Sequence, residues 1–171
     1  MCPMTATDLI AFLELKPLPM EGGYFRETYR SPCALADGSL PRNYSDRRSL
    51  STAIYFLLTS DTFSAMHRLP ADEIYHFYGG DPVEMLQLTR PGVGETILLG
   101  QDLKAGMRPQ VLVPALVWQG SRLVLGGQYA LLGTTMAPGF DFADLTLGSR
   151  RELVREYPMC TKLIKELTRD D

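Results

Sequence analysis

The chain has 171 residues, of which 45% are hydrophobic, and this length suits one domain with a sizeable core. Its formal net charge of -3 gives no electrostatic basis for binding nucleic acid or an anionic membrane surface. No apolar run approaches the roughly 18 residues of a membrane-spanning helix, and the first residues lack the basic segment of a signal peptide. We therefore expect a soluble, cytoplasmic protein whose partners include neither nucleic acid nor membrane.

The three cysteines, Cys2, Cys33 and Cys160, are too few and too widely spaced for a disulfide framework. They form no CxxC pair, which argues against a zinc knuckle. Reduced thiols are the expectation, in keeping with a cytoplasmic location.

The chain is predicted to begin with a short helix. Thr5, followed three residues later by Asp8, resembles a capping box, and residues 9–13 supply an apolar face. The prolines and glycines of KPLPMEGG (16–23) cannot continue a helix and end it.

From residue 24 onward the pattern changes to short runs of apolar, aromatic and β-branched residues. Turn signals separate the runs at intervals of about 8 to 12 positions, which predicts a β-sandwich or a β-barrel. The run at 50–59 is nearly all apolar, as in a strand buried on both faces. The runs are YFRETYR, LSTAIYFLLT, TFSAMHRL, EIYHFYGG, VEMLQLT, ETILLG, PQVLVP, WQGSRLVL and YALLGTTMAPGF.

A second helix is predicted over roughly 149–168, with a break or kink at Pro158. In the segment just before it, PGFDFAD, Asp141 and Asp144 are expected to be exposed near one end of the barrel. The sequence shows no internal repeat and no linker, so residues 1–171 are taken as a single domain.

Both histidines lie in FSAMHRLPADEIYHFYGG (63–80), on either side of Glu73. Two strands joined as a hairpin through RLPAD would place Glu73 near His67 if both face the interior. Alternation then turns His76 outward, unless a bulge intervenes. A histidine and a glutamate that converge in this way can bind a metal or exchange protons.

These residues resemble the cupin family. The first cupin motif has two histidines one residue apart, then a glutamate and a glycine, and these positions are filled here by Ala65, His67, Glu73 and Gly79. The second motif falls on PALVWQG, where Leu116 stands at a common glycine position and Gln119 stands in place of the histidine.

The wider pattern is similar to one cupin subfamily of uncharacterised function. It consists of EGGYFRETYRS, STAIYFLL, HRLPADEIYHFYGGDP, VPALVWQG and APGFDF, and it spans roughly residues 20–145. The resemblance implies an all-β fold, the double-stranded β-helix or jelly-roll barrel, with about ten strands and a short helix at each end. It also implies a homodimer, in which a second subunit covers an edge strand such as YFRETYR.

The departures from the family pattern bear on metal binding. A full cupin site offers three histidines and a glutamate, whereas Ala65 offers no donor and Gln119 only a neutral one. The loss of two imidazoles removes most of the affinity for a transition metal. We therefore expect no resident metal, and the sequence identifies no other cofactor. If a metal binds, its ligands would be His67, Glu73, Gln119 and His76.

The candidate catalytic residues are His67 and Glu73. An unperturbed imidazole titrates near neutral pH, so His67 could take and return a proton, and Glu73 would orient it or act as its partner. Arg26 is a candidate for an anionic group on the ligand, although it is also explained as a surface charge paired with Glu27 or with a partner subunit. The candidate ligand-binding residues are Tyr75, His76, Trp118, Gln119 and Arg26.

Three functions remain open from the sequence. The first is binding of a small polar metabolite, such as a carbohydrate or a nucleotide-linked sugar, with histidine-based isomerase or epimerase chemistry. The second is a small-molecule-binding protein without chemistry, and the third is a metal-dependent enzyme with an incomplete ligand set.

Overall fold

A computed structural model describes residues 4–35, 44 and 47–169. Within these residues two antiparallel sheets face each other as a jelly-roll barrel, with short helices near both ends, so the expected fold class is confirmed. Cys2 lies outside the described residues, while Cys33 and Cys160 are free thiols. In the described part, every helix is too short or too polar to cross a bilayer.

The N-terminal helix α1 spans Ala6–Phe12 and begins with the predicted capping box. The hydroxyl of Thr5 accepts from the Asp8 amide at 3.2 Å, and the Asp8 carboxylate accepts from the Thr5 amide at 2.8 Å. Each side chain thus satisfies an otherwise unpaired donor of the first turn. The buried Leu9 of α1 packs on Leu57 of the barrel.

The predicted C-terminal helix is divided at its proline, as expected. Helix α2 spans Arg150–Glu156, a single 3-10 turn covers Pro158–Cys160, and helix α3 spans Thr161–Glu166. The divided helix lets α2 and α3 fold over one sheet, where Leu153 and Ile164 are buried against it.

The strands follow the predicted runs closely, and two short ones, at Lys16–Pro17 and Thr146–Leu147, were not predicted. In chain order the strands are β1 Lys16–Pro17, β2 Tyr24–Arg30, β3 Thr52–Thr59, β4 Phe63–Arg68, β5 Glu73–Gly80, β6 Val83–Arg90, β7 Val93–Leu99, β8 Gln110–Val113, β9 Trp118–Leu123, β10 Tyr129–Met136 and β11 Thr146–Leu147. The first sheet has the order β1-β2-β3-β10-β5-β8, and the second has the order β11-β4-β9-β6-β7.

The hairpin predicted between His67 and Glu73 is wrong. Strand β4 pairs with β9 and β11 in the second sheet, whereas β5 pairs with β10 and β8 in the first. The chain between them crosses from one sheet to the other, and Leu69 and Ala71 anchor this crossover in a small apolar cluster with Met136. His67 and Glu73 therefore belong to facing sheets rather than to neighbouring strands.

A β-bulge in β2 changes which of its side chains enter the barrel. Glu27 pairs with Ile54, but Tyr29 pairs with the next residue along β3, so Thr28 has no partner in the register. The extra residue puts Arg30, opposite Thr52, on the same face as Glu27. Strict alternation would have put Arg30 on the outer face.

The apolar core fills one part of the barrel interior and leaves the other part open. Tightly buried side chains from both sheets, among them Phe77, Met85 and Leu132, form the main cluster. A second cluster lies on the outside of the second sheet, beneath α2 and α3. The first sheet has α1 over part of its outer face, at Leu57.

One ion pair near the open part is buried, contrary to the expectation that Asp144 is exposed. The guanidinium of Arg48 donates to the two carboxylate oxygens of Asp144 at 2.7 and 2.6 Å, and the two side chains are only 4% and 8% exposed. This pair holds the segment that follows β10 against the barrel.

Asp144→Ala is expected to lower the free energy of unfolding by about 3 kcal/mol, because it removes a carboxylate from a buried guanidinium. The matched control is Glu14→Ala, which breaks the exposed pair with Arg26 and should change the free energy by less than about 0.5 kcal/mol. Urea unfolding of both variants measures the difference. Equal effects would show that the buried pair does not stabilise the fold.

Candidate functional site

A cavity of about 140 Å³ lies inside the barrel, along the first sheet. Its walls are mostly apolar and aromatic, and its polar side chains come in two groups. The inner group is buried and includes Glu21, Glu73 and Tyr75. The outer group lies toward solvent and includes Glu27 and Arg30. Such a mixture of apolar walls and a few convergent polar groups is typical of small-molecule sites.

Glu73 lies at the start of β5, and its carboxyl group is buried at the inner end of the cavity. The Gln119 amide, on β9 of the opposite sheet, donates to Glu73 Oε2 at 2.6 Å. The hydroxyl of Thr134, on β10, also hydrogen-bonds to the Glu73 carboxyl. Groups from two other strands, β9 and β10, therefore fix this carboxyl at the cavity wall.

Glu21 reaches the same end of the cavity from the loop before β2. The loop has left-handed backbone at Met20 (φ 63°), Gly22 (φ 108°) and Gly23 (φ 72°). A Cβ on Gly22 would lie 2.4 Å from the carbonyl oxygen of Phe63, so only glycine fits there. The glycines of MEGG are thus required for the loop to press Glu21 against β4.

Three further contacts hold this loop in place. The Ser64 hydroxyl donates to Glu21 Oε1 at 2.7 Å, and the Ala65 amide donates to the Glu21 carbonyl at 2.9 Å. From the C-terminal end, the Arg169 guanidinium donates to the carbonyls of Met20 and Glu21 and lies 5.3 Å from the centre of the Phe63 ring. The C-terminal segment therefore secures a loop that carries a cavity residue.

His67 lies behind the two carboxyl groups and does not line the cavity. Its side chain is 1% exposed, and Nδ1 lies 2.7 Å from the Ala65 carbonyl oxygen. Since a carbonyl only accepts, Nδ1 carries a proton and the other nitrogen, Nε2, faces Glu21 Oε2 at 4.0 Å. The imidazole therefore interacts electrostatically with the Glu21 and Glu73 carboxyl groups and does not contact a ligand in the cavity directly.

Burial changes the acid–base properties of the inner end. Desolvation raises the pKa of Glu73, and the neighbouring Glu21 carboxylate raises it further. The charge of His67 and the hydrogen bonds from Gln119 and Thr134 oppose this rise without cancelling it. Burial also raises the pKa of Tyr75 well above its ordinary value, so that this phenol stays protonated. The Glu73 carboxyl thus keeps its proton to a higher pH than an ordinary glutamate, which is typical of groups at functional sites.

The outer end of the cavity combines one ion pair with aromatic rings. Arg30 donates to both carboxylate oxygens of Glu27, at 2.9 and 2.7 Å, and to the Phe140 carbonyl at 3.0 Å. The Phe142 ring stands nearly perpendicular to those of Phe25 and Phe140, with centroid distances of 6.4 and 5.1 Å. Asp141, between the two phenylalanines of this segment, also lines the cavity.

Four of the residues predicted from the sequence meet at or next to the inner end: His67, Glu73, Tyr75 and Gln119. Glu73 and Tyr75 line the cavity, while Gln119 and His67 support it from behind. In the register of the second sheet, His67 and Gln119 are directly opposite each other, which explains why both approach the same carboxyl groups.

The other three predicted residues lie elsewhere. His76 is on the outer face of the first sheet, as alternation predicts, where Nε2 lies 3.2 Å from the Thr135 hydroxyl. Trp118 packs in the cluster beneath α2 and α3, with the Arg68 guanidinium 4.5 Å above its ring. Arg26 is exposed and pairs with Glu14 at 3.0 Å, rather than with Glu27.

Several cavity residues were missed from the sequence. Glu21 and Arg30 are the most important, and each depends on an irregular backbone. The glycine pair of MEGG was a visible signal for Glu21, because two adjacent glycines often permit a close approach of the backbone. Nothing in YFRETYR signalled the bulge that turns Arg30 inward.

The donor set at this position does not fit the metal that the cupin fold implies. Ala65 contributes only its carbonyl, which His67 already occupies, and the Gln119 amide nitrogen, not an oxygen, faces Glu73. Across residues 4–35, 44 and 47–169, no three His, Cys, Asp or Glu side chains are grouped so that they could hold a metal ion. Of the candidate ligands, His76 is on the other face of the first sheet.

The barrel and the position of its interior polar group define a cupin. A family profile described as "Cupin superfamily (DUF985)" matches residues 7–148, and the chain belongs to this family. The uncharacterised protein YML079W of Saccharomyces cerevisiae is 31% identical over 134 residues, which cover 74% of this chain and 67% of the yeast protein.

Two solved structures are similar over nearly the whole chain. Protein SO0799 of Shewanella oneidensis has 37% sequence identity and a TM-score of 0.87. The match covers 99% of this chain and 100% of the Shewanella chain. A hypothetical protein from Leishmania major has 29% identity and a TM-score of 0.86. This match covers 98% of this chain and 100% of the Leishmania chain. The relatives thus support the family and the fold, and their names specify no ligand or reaction.

The raised pKa of Glu73 predicts a pH-dependent loss of stability. Between the ordinary pKa of 4.5 and the raised folded value, the folded state binds more protons than the unfolded state, so stability falls as pH rises through this window. Glu73→Gln removes this group. The melting temperature of the variant relative to the wild type should therefore rise from pH 4 to pH 8, as measured by thermal unfolding. A constant difference would contradict the raised pKa.

Arg169→Ala is expected to loosen the loop that carries Glu21. The amide of Ala65 donates to the Glu21 carbonyl, so its protection from hydrogen exchange should decrease in the variant. Arg155→Ala, which removes an exposed arginine of α2, is the control and should leave the protection unchanged. If both variants keep full protection at Ala65, Arg169 does not secure this loop.

Proposed function

We propose that the barrel cavity binds a small polar metabolite and that Glu73 exchanges a proton with it, as in an isomerase. The observation that carries this proposal is the position of the Glu73 carboxyl, which is buried, faces the cavity and has a raised pKa. Carboxyl groups tuned upward by burial serve as general acids and bases near neutral pH.

The supporting residues have separate roles in this proposal. Gln119 holds Oε2 of Glu73 and orients the carboxyl, while His67 and Glu21 adjust its charge from behind. His67 was the predicted base, but its position behind the carboxyl groups favours Glu73 as the group that touches the ligand. In the chemical step, the Glu73 carboxylate would take a proton from a hydroxyl-bearing carbon beside a carbonyl group and return it to the former carbonyl carbon. The hydroxyl proton would move to the former carbonyl oxygen, so that carbonyl and hydroxyl groups exchange places.

The arrangement favours proton transfer along one side of the ligand. Glu73 and Tyr75 are two residues apart on β5, so their side chains face the same way. An epimerase that inverts a carbon needs a proton donor opposite its base, whereas an isomerase can use one group for both transfers. Groups from a single strand therefore support isomerisation better than epimerisation.

The second candidate function is binding without chemistry. The aromatic and apolar walls of the cavity support ligand binding whether or not Glu73 moves a proton. A nucleotide-linked sugar is a poor match, because the cavity is about 140 Å³ and its acidic lining opposes phosphate. The donor set supports neither a resident metal nor a metal-dependent mechanism, and the homodimer stays a proposal that sedimentation can test.

The proposal is tested by proton exchange with solvent. A panel of small polar metabolites is first screened for thermal stabilisation of the protein, and NMR in D₂O then detects deuterium entering a carbon-bound position of each stabilising compound. Glu73→Gln is expected to slow this exchange by at least about 100-fold, with binding affinity changed only a few-fold.

The matched control is Glu95→Gln, the same substitution at an exposed position of β7. It should leave both binding and exchange unchanged. Exchange that persists in Glu73→Gln would exclude Glu73 as the proton-transfer group. Stabilisation by a metabolite without any exchange in the wild type would favour the binding protein.

A further inference from the structure

We infer that the ligand of this cavity carries positive charge, and that its class is a small organic ammonium compound. The inference rests on the proposed function, since it concerns the same cavity, and it specifies the ligand class. Two independent features support it, which are the net charge of the cavity lining and the aromatic rings at its outer end.

The lining carries a net negative charge in each of the protonation states of Glu73 and His67. Four carboxyl groups line the cavity, from Glu21, Glu27, Glu73 and Asp141, against a single guanidinium. If Glu73 holds a proton and the histidine behind it is charged, three carboxylates still face two cations. If Glu73 is ionised, the excess of negative charge is larger. A ligand enclosed here therefore experiences a negative field that the barrel shields only weakly from within.

The guanidinium in the lining is already paired with a carboxylate. Arg30 forms a two-point pair with Glu27 and also donates to the Phe140 carbonyl and to the Ser49 hydroxyl, at 3.0 and 3.3 Å. These contacts direct its donors toward protein oxygens. An anion would have to compete with Glu27 for this guanidinium and would lie close to the Asp141 carboxylate. A cation in the same place is attracted by both carboxylates.

Aromatic rings supply a second means of binding a cation. Phe25, Phe140 and Phe142 line the cavity, and the ring of Phe142 is within 11° of perpendicular to each of the other two. Rings set at right angles present both faces and edges to the space beside them, and an ammonium group is attracted to the faces. An apolar wall with carboxylates at both ends therefore matches a cation that has a small hydrocarbon or hydroxylated body.

The test uses three probes of the same shape and different charge: tert-butylammonium, tert-butanol and pivalate. Each is titrated at constant ionic strength, and its affinity is taken from the saturable rise in melting temperature. The ammonium is expected to bind most tightly, at least about tenfold more tightly than pivalate, with the alcohol between them.

Glu21→Gln removes one carboxylate of the inner end, and Glu27→Gln removes one of the outer end. Each is expected to weaken ammonium binding several-fold and to leave tert-butanol unchanged, while Glu95→Gln changes neither. Circular dichroism confirms that each variant is folded. If one of the two variants does not fold, the other still tests the inference. An order led by pivalate, an order led by tert-butanol, or no saturable shift with the ammonium overturns the inference.

These outcomes are separate from those of the isomerase test. The charge order is measured with unreactive probes and needs no turnover, whereas deuterium exchange needs a metabolite and the Glu73 carboxyl. A correct charge order without exchange supports a cation-binding protein. Exchange with a neutral or anionic metabolite, together with a charge order led by pivalate, keeps the isomerase and removes the ammonium ligand.

Discussion

A short hydrogen bond between Gln119 and Glu73 joins the two sheets inside the barrel, and the polar interior is arranged around it. The bond brings an amide from β9 to a carboxyl group on β5 at 2.6 Å, in a place that water does not freely reach. A carboxyl group buried this way is unfavourable unless neighbouring groups compensate it. The Gln119 amide, the Thr134 hydroxyl and the His67 charge all serve that purpose, and they also affect the pKa of the carboxyl group.

The fold places its irregular backbone where the cavity needs side chains that a regular strand cannot supply. The tight loop before β2 brings Glu21 to the inner end, and the bulge in β2 brings Arg30 to the outer end. Both devices depend on close backbone contacts, since the loop lies against β4 and is secured from the C-terminal side by Arg169. Glu21 is therefore held in place by contacts of its loop with the barrel and the C-terminal segment.

The sequence predicted the barrel well because turn residues separate the strands and because the pattern of a known family spans most of the chain. It also predicted Glu73 and the outward direction of His76, since alternation decides both. Strand pairing was harder to predict from the sequence. The segment RLPAD has the residues of a hairpin turn, yet it crosses from one sheet to the other. Which strands pair depends on long-range contacts, and the local pattern does not determine them. Arg30 was missed because a single extra residue reverses the alternation. Trp118 was wrongly assigned to the cavity because an aromatic strand residue suits either face of a sheet. Leu116 was noted at a glycine position, and its φ of 66° supplies the physical reason for that preference.

The division of the interior into a packed part and an open part has a consequence for how this protein can change. The close-packed side chains of Met85 and Leu132 lie outside the cavity lining, whereas Phe56 and Tyr75 belong both to the core cluster and to the lining. Phe142, at the outer end, is 42% exposed and belongs to neither the main core cluster nor the smaller ones, so its substitution can alter what the barrel accepts at little cost to folding. The same scaffold can in this way acquire new ligands one side chain at a time.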